Sequence, residues 1–152
     1  MKKAFTLIEA LIVIFLLAML LAIAIPNMNF VEDNTLNMAG RNLKMNLNYV
    51  RSLAIRNKTN YTVEISLSGN SYKVKTNNTT VPSPHNTGLY EETFNESAYN
   101  GVEFLTANFN GLNKVEFTTT GKLVNDGEII LKYNSNQITL SPAILTGKFD
   151  VE

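Results

Sequence analysis

Residues 1–26 read MKKAFTLIEALIVIFLLAMLLAIAIP, and the fold turns on one acid inside that stretch, Glu9. From Phe5 to Ile25 every residue except Thr6 and Glu9 is apolar or small. As a helix the run is roughly 31 Å long, which matches a bilayer core of ~30 Å. Lys2 and Lys3 precede it and favour a cytoplasmic N-terminus, leaving the following domain outside. A carboxylate in the apolar region of a membrane helix costs about 2.5–3.5 kcal/mol at the bilayer centre, and less near an end.

Three readings compete for this segment. A cleaved signal peptide accounts for the basic start, the apolar run and the small-x-small site Ala22-Ile23-Ala24. A plain single-pass anchor accounts for the length. Both would be better off without Glu9, and Pro26 lies awkwardly close to the first reading's cut. A third reading supposes a cut after Ala4. Phe5 would then carry a new α-amino group, with Glu9 four residues on. In a bundle of such helices, the acid of one chain can pair with the amine of its neighbour and set their axial register. Thr6 adds a hydroxyl nearby.

The unbroken order FTLIE, a short basic leader before it and an apolar run up to Pro26 resemble the class III signal of type IV pilins and type II secretion pseudopilins. The resemblance implies cleavage between Ala4 and Phe5 by a prepilin peptidase, N-methylation of Phe5, and Glu9 as the assembly glutamate. The family usually has Gly before the cut; Ala4 stands there in this chain.

The rest of the chain is consistent with one exported domain. Its 152 residues carry 13 basic and 13 acidic side chains. That balance argues against a dedicated nucleic-acid binder. The absence of cysteine excludes disulfides and thiolate metal sites, so a domain of this kind rests on its core. Pro26 predicts a kink. Beyond it Leu36, Ala39, Leu43, Leu47, Val50 and Ala54 recur at steps of three or four, which predicts an amphipathic helix to about Asn57. Arg41, Lys44, Asn48 and Arg51 lie off this stripe, and Gly40 interrupts its regularity.

After Asn60 the period becomes two. Strands are predicted at Tyr61–Leu67 and Tyr72–Lys75 across a turn at Ser68–Ser71. A surface loop is predicted over Asn77–Gly88, and weaker strands at Thr93–Tyr99 and Val102–Leu105. Lys114–Thr118 reads as a strand, with turns at Thr120-Gly121 and Asp126-Gly127. Glu128–Tyr133 pairs with Gln137–Ser141, and a last strand runs from Ile144 to Val151 with Gly147 interrupting it. The fold class is α+β: a long N-terminal helix, transmembrane in its first half and amphipathic in its second, packed on antiparallel sheet. Its core draws on the stripe and on Val63, Ile65, Phe117, Ile129, Leu131, Ile138 and Leu140. The predicted organisation is a leader (1–4), a membrane helix (5–26), its amphipathic continuation (27–58) and a β-rich domain (59–152).

The block around Arg51, Ser52, Ala54 and Ile55 resembles the GspH/FimT-type subfamily. So do Phe117, Gly121, Gly127, Ile129, Leu131, Ile138, Leu140 and Gly147. The resemblance implies a structural minor pseudopilin or minor pilin with no enzymatic activity and no cofactor. Its partners would be other pilins in a helical fibre, the prepilin peptidase and an inner-membrane assembly platform. It would stand in the cytoplasmic membrane with its C-terminal domain outside, then in the fibre.

No catalytic constellation stands out. His85 lies in a Pro-flanked loop and reads as a solvated residue; Glu91, Glu92 and Glu96 read as a solvated acidic face rather than a calcium loop. The basic residues Arg41, Lys44, Arg51, Arg56 and Lys58 suggest a second partner. Some FimT-like minor pilins bind DNA, and a basic helix face suits phosphates. The plainer reading is the solvated side of an amphipathic helix. The remotest alternative is an unrelated anchored or secreted domain.

Overall fold

The computed structural model describes residues 7–24, 28–85, 87–95, 98–143 and 146–151. The chain divides into two compact units, Met1–Val31 and Glu32–Glu152. In the first, α1 (Leu7–Ala24) presents exposed apolar side chains on every side from Leu7 to Leu21, with Glu9 in its first described turn. Over 18 residues it rises about 27 Å, just short of a hydrocarbon core. Among the described residues no helix is long and apolar enough to cross a membrane. The predicted span from Phe5 to Ile25 includes positions outside the described residues at both ends, and the predicted kink at Pro26 also lies outside them.

α2 (Met28–Asn57) ends where the period changes. Its last turn closes in a Schellman arrangement: Lys58 takes φ +50°, and Thr59 N–H donates to the Ala54 carbonyl at 3.3 Å. All six residues of the predicted stripe are buried. They face two antiparallel sheets. The first contains β1 (Tyr61–Ser66), β2 (Ser71–Thr76), β3 (Thr79–Thr80), β4 (Glu91–Thr93) and β6 (Lys114–Phe117). Its order is β3-β2-β1-β6, with β4 also pairing with β2. The second has the order β5-β7-β8-β9, from β5 (Val102–Phe109), β7 (Gly127–Tyr133), β8 (Asn136–Ala143) and β9 (Lys148–Val151).

Alternation decides which faces are buried. Val63, Ile65, Tyr72, Val74, Val115 and Phe117 point inward from the first sheet, and Ile129, Leu131, Leu140 and Phe149 from the second. Outside the first sheet, Lys114, Glu64, Lys73 and Glu91 fall in cross-strand register, an alternating charge ladder of the kind that stabilises sheet pairs. Ile138, predicted as core, is only partly buried. Its Cδ1 sits where a Cβ on Gly40 would be, 2.2 Å away, so Gly40 permits the close approach of α2 to β8.

Three predicted strands differ. Thr93–Tyr99 is not a strand: β4 stops at Thr93, and Phe94 turns inward to stack on Phe104 with centroids 5.0 Å apart. Tyr99 packs edge-on to Phe94, so these aromatics anchor the core instead of lining a sheet. Val102–Leu105 extends to Phe109, with a bulge between Phe104 and Thr106. The last strand starts only at Lys148, because Gly147 at φ +65° closes a turn before it. The loop after β2 contains β3, formed across a two-residue turn in which Asn77 and Asn78 both take positive φ.

Candidate functional site: the N-terminal segment and the polar seam of α2

The predicted processing residues Ala4, Phe5 and Thr6 lie outside the described residues. Glu9 is exposed near the start of α1 and is the one charged side chain on that helix. Its position near a helix N-terminus suits a carboxylate electrostatically.

The five basic positions fall into two groups. Arg41, Arg56 and Lys58 are exposed. Lys44 and Arg51 are engaged inside the domain. Lys44 Nζ donates to Asp150 Oδ1 on β9. That hydrogen bond, with a second from Val151 N–H and the ammonium's charge, holds the Asp150 carboxyl below the usual carboxylate range. Arg51 Nε donates to the Thr146 carbonyl at 2.7 Å and the Gly121 carbonyl at 3.0 Å. It thereby ties the turn after β6 and the turn before β9 to the helix. These turns touch: a Cβ on Gly147 would lie 2.4 Å from the Gly121 carbonyl oxygen.

Between the two cations stands Asn48, which carried no functional reading in the sequence. Its Oδ1 accepts from Phe149 N–H at 3.1 Å and its Nδ2 donates to the Phe149 carbonyl at 3.3 Å. Lys44, Asn48 and Arg51 are spaced i, i+4, i+7 and form one line on α2. The line follows β9 backwards, from Asp150 through Phe149 to Thr146. Three of the four residues off the apolar stripe, Lys44, Asn48 and Arg51, are thus a polar seam along the outer edge of a strand. The sequence signal was present in their spacing; the strand they meet lies about a hundred positions away and left no local mark.

Asparagine does related work elsewhere. Asn46, buried on α2, donates to the Tyr72 hydroxyl at 2.6 Å and to Asn42 Oδ1 at 3.0 Å. Asn70 ends the β1–β2 turn at φ +47°. Its Nδ2 donates to the Val102 carbonyl at 2.7 Å, and its Oδ1 accepts from Phe104 N–H at 3.0 Å.

His85 is exposed, edge-on to the Tyr90 ring at 6.4 Å. Glu91 and Glu92 lie on β4, while Glu96 lies outside the described residues. Among the described residues no cluster of His, Asp and Glu is placed to hold a metal ion. In the open cleft beside the start of β7, Asp126 Oδ1 accepts from Gly127 N–H and Asn108 Oδ1 from Gly111 N–H, so these oxygens close their own turns.

Comparison with known proteins follows the same division. The family model described as the prokaryotic N-terminal methylation motif matches residues 1–25. Curated proteins give no match. Among solved structures the chain is similar to the Pseudomonas aeruginosa type IV minor pilin FimU in two crystal forms. One is 19% identical, with 81% of this chain and 92% of that chain covered at a TM-score of 0.59. The other is 17% identical, with 77% and 92% covered at 0.55. The chain therefore combines a match to the N-terminal methylation motif over residues 1–25 with a fold similar to that of a type IV minor pilin.

Proposed function

We propose that this chain is a structural minor pilin or pseudopilin subunit of the GspH/FimT-like kind. A prepilin peptidase cuts between Ala4 and Phe5 and the new Phe5 amine is methylated. The chain waits in the cytoplasmic membrane, anchored by its apolar N-terminal helix, with the β-rich domain outside. It then joins a helical fibre through bundled N-terminal helices, on the inner-membrane platform of a type II secretion system or a type IV pilus. The observation that carries this reading is the methylation motif over residues 1–25 ahead of a pilin fold.

In the fibre the exposed apolar surface of α1 from Leu11 to Leu21 drives lateral packing. Glu9 meets the methylated amine of an adjacent subunit, and Thr6 adds a hydrogen bond beside it. An ion pair in a low-dielectric bundle is a register device: a slip along the axis separates the charges at a cost of several kcal/mol. Mass spectrometry of the protein purified from its cell tests the processing step. The mature chain is expected to begin at Phe5 and carry one extra methyl group; a chain beginning at Met1 or at Ile25 would overturn the reading. Glu9→Ala is expected to leave insertion and cleavage intact while abolishing fibre incorporation, measured by the share of subunit in sheared filaments.

DNA uptake is the second reading. The placement of Lys44 and Arg51 weighs against it, since both spend their hydrogen bonds on β9 and its neighbouring turns, leaving Arg41, Arg56 and Lys58 as the outward cations. A salt-sensitive DNA shift by the intact protein, lost in a variant with those three residues replaced by alanine, would favour it.

A further inference from the structure

We propose that Asn48 and Asn70 act as strand surrogates that close both edges of the β5-β7-β8-β9 sheet against pairing with a second copy of this chain. The inference goes beyond the assembly reading, which concerns the N-terminal helix alone. Among the described residues β9 has one strand neighbour, β8, and its residue opposite Phe149 is Pro142, which has no N–H to give. The Phe149 N–H and carbonyl therefore point away from the sheet. Asn48 takes both, in the donor–acceptor pattern of an antiparallel partner. Val151 N–H, the next outward donor, goes to Asp150 Oδ1, itself held by Lys44.

At the other edge β5 has, among the described residues, one strand neighbour, β7. Asn70 binds the Val102 carbonyl and the Phe104 N–H, residues i and i+2, which is the pattern of a parallel partner. Val102 N–H goes to the Tyr99 carbonyl, and the bulge after Phe104 breaks the run of outward groups. Unpaired edge groups of this kind are templates for another chain's strand. A subunit that must reach its fibre as a single chain gains from having them occupied, and a side-chain amide occupies them without adding a strand that could itself pair.

The test uses the full-length chain in detergent micelles, with chain number measured by light scattering over a range of concentrations. Asn48→Ala and Asn70→Ala are each expected to associate at a concentration about tenfold lower than the wild type. Asn46→Ala, which loses buried hydrogen bonds but no edge contact, is expected to associate as the wild type does. In the associated Asn48→Ala species the Phe149 amide stays protected from hydrogen exchange, because a second chain's carbonyl replaces Asn48 Oδ1. Should the alanine variants not fold, Asn48→Leu, which keeps the side chain's size, and Asn70→Gly, which suits the φ of +47°, remove the same edge bonds, and the same shift is expected of them. Unchanged association in the edge variants, equal association in Asn46→Ala, or a freely exchanging Phe149 amide would overturn the proposal.

Discussion

Lys58 closes α2 in a left-handed conformation that its Cβ disfavours. Glycine is the usual residue at that position of the cap. Lys58→Gly is therefore expected to stabilise the domain by about 0.5–1 kcal/mol, read as an upward shift of the thermal midpoint. Tyr90 offers a contrasting case. It is fully buried, and its hydroxyl has no hydrogen-bond partner among the described residues. Removing a buried polar atom that bonds nothing costs no bond, so Tyr90→Phe is expected to be neutral or stabilising by up to about 1 kcal/mol in a denaturant titration. Tyr72 is the opposite: its hydroxyl holds Asn46, and Tyr72→Phe leaves that buried amide short of a partner at a cost of about 1–3 kcal/mol.

At the scale of elements, α2 has two lines with different jobs. The apolar line from Leu36 to Ala54 supplies the burial; Leu47→Ala is expected to cost about 2–5 kcal/mol by leaving a cavity. The polar line Lys44, Asn48 and Arg51 determines where β9 lies. Arg51→Ala removes the link between the two glycine turns, and Gly147→Ala forces a Cβ into the Gly121 carbonyl at a left-handed backbone position. Both should loosen β9, measured as faster exchange of the Phe149 amide, while leaving β1 and β2 protected. The Lys44–Asp150 contact depends on acid: the carboxyl's pKa is lowered on folding, so its contribution is present above the usual carboxylate range and fades as pH falls through the lowered value. Because Asp150 is solvent-exposed, the change is small and salt-sensitive.

At the scale of the molecule, burial pushes the phenols of Tyr72 and Tyr90 well above the ordinary tyrosine range, and nearby Glu92 adds to the effect in both. A folded-state pKa raised above the unfolded one contributes stability fully present below pH ~10 and lost as pH rises beyond it. For Tyr72 alone the loss is about 1.4 kcal/mol per pH unit above that point. Base titration followed by phenolate absorbance should show these two tyrosines ionising only together with unfolding. The α1 unit differs from this, since its apolar side chains from Leu7 to Leu21 are exposed all round.

Local chemistry was enough for much of this. The step of three and four placed α2 and its buried stripe, and the step of two placed β1, β2, β6, β7 and β8, because helix and strand are each written within a few neighbouring positions. The division into two sheets was not legible: alternation says which face is buried and not which strand lies beside which. Phe94 and Tyr99 read as strand residues until Phe104 supplied a ring to pack against. The seam of Lys44, Asn48 and Arg51 read as a charged helix face, since its partner strand is distant in sequence. Only folding brings an amide in α2 to the backbone of β9, and hydrogen bonds between groups so far apart in the chain leave no period behind.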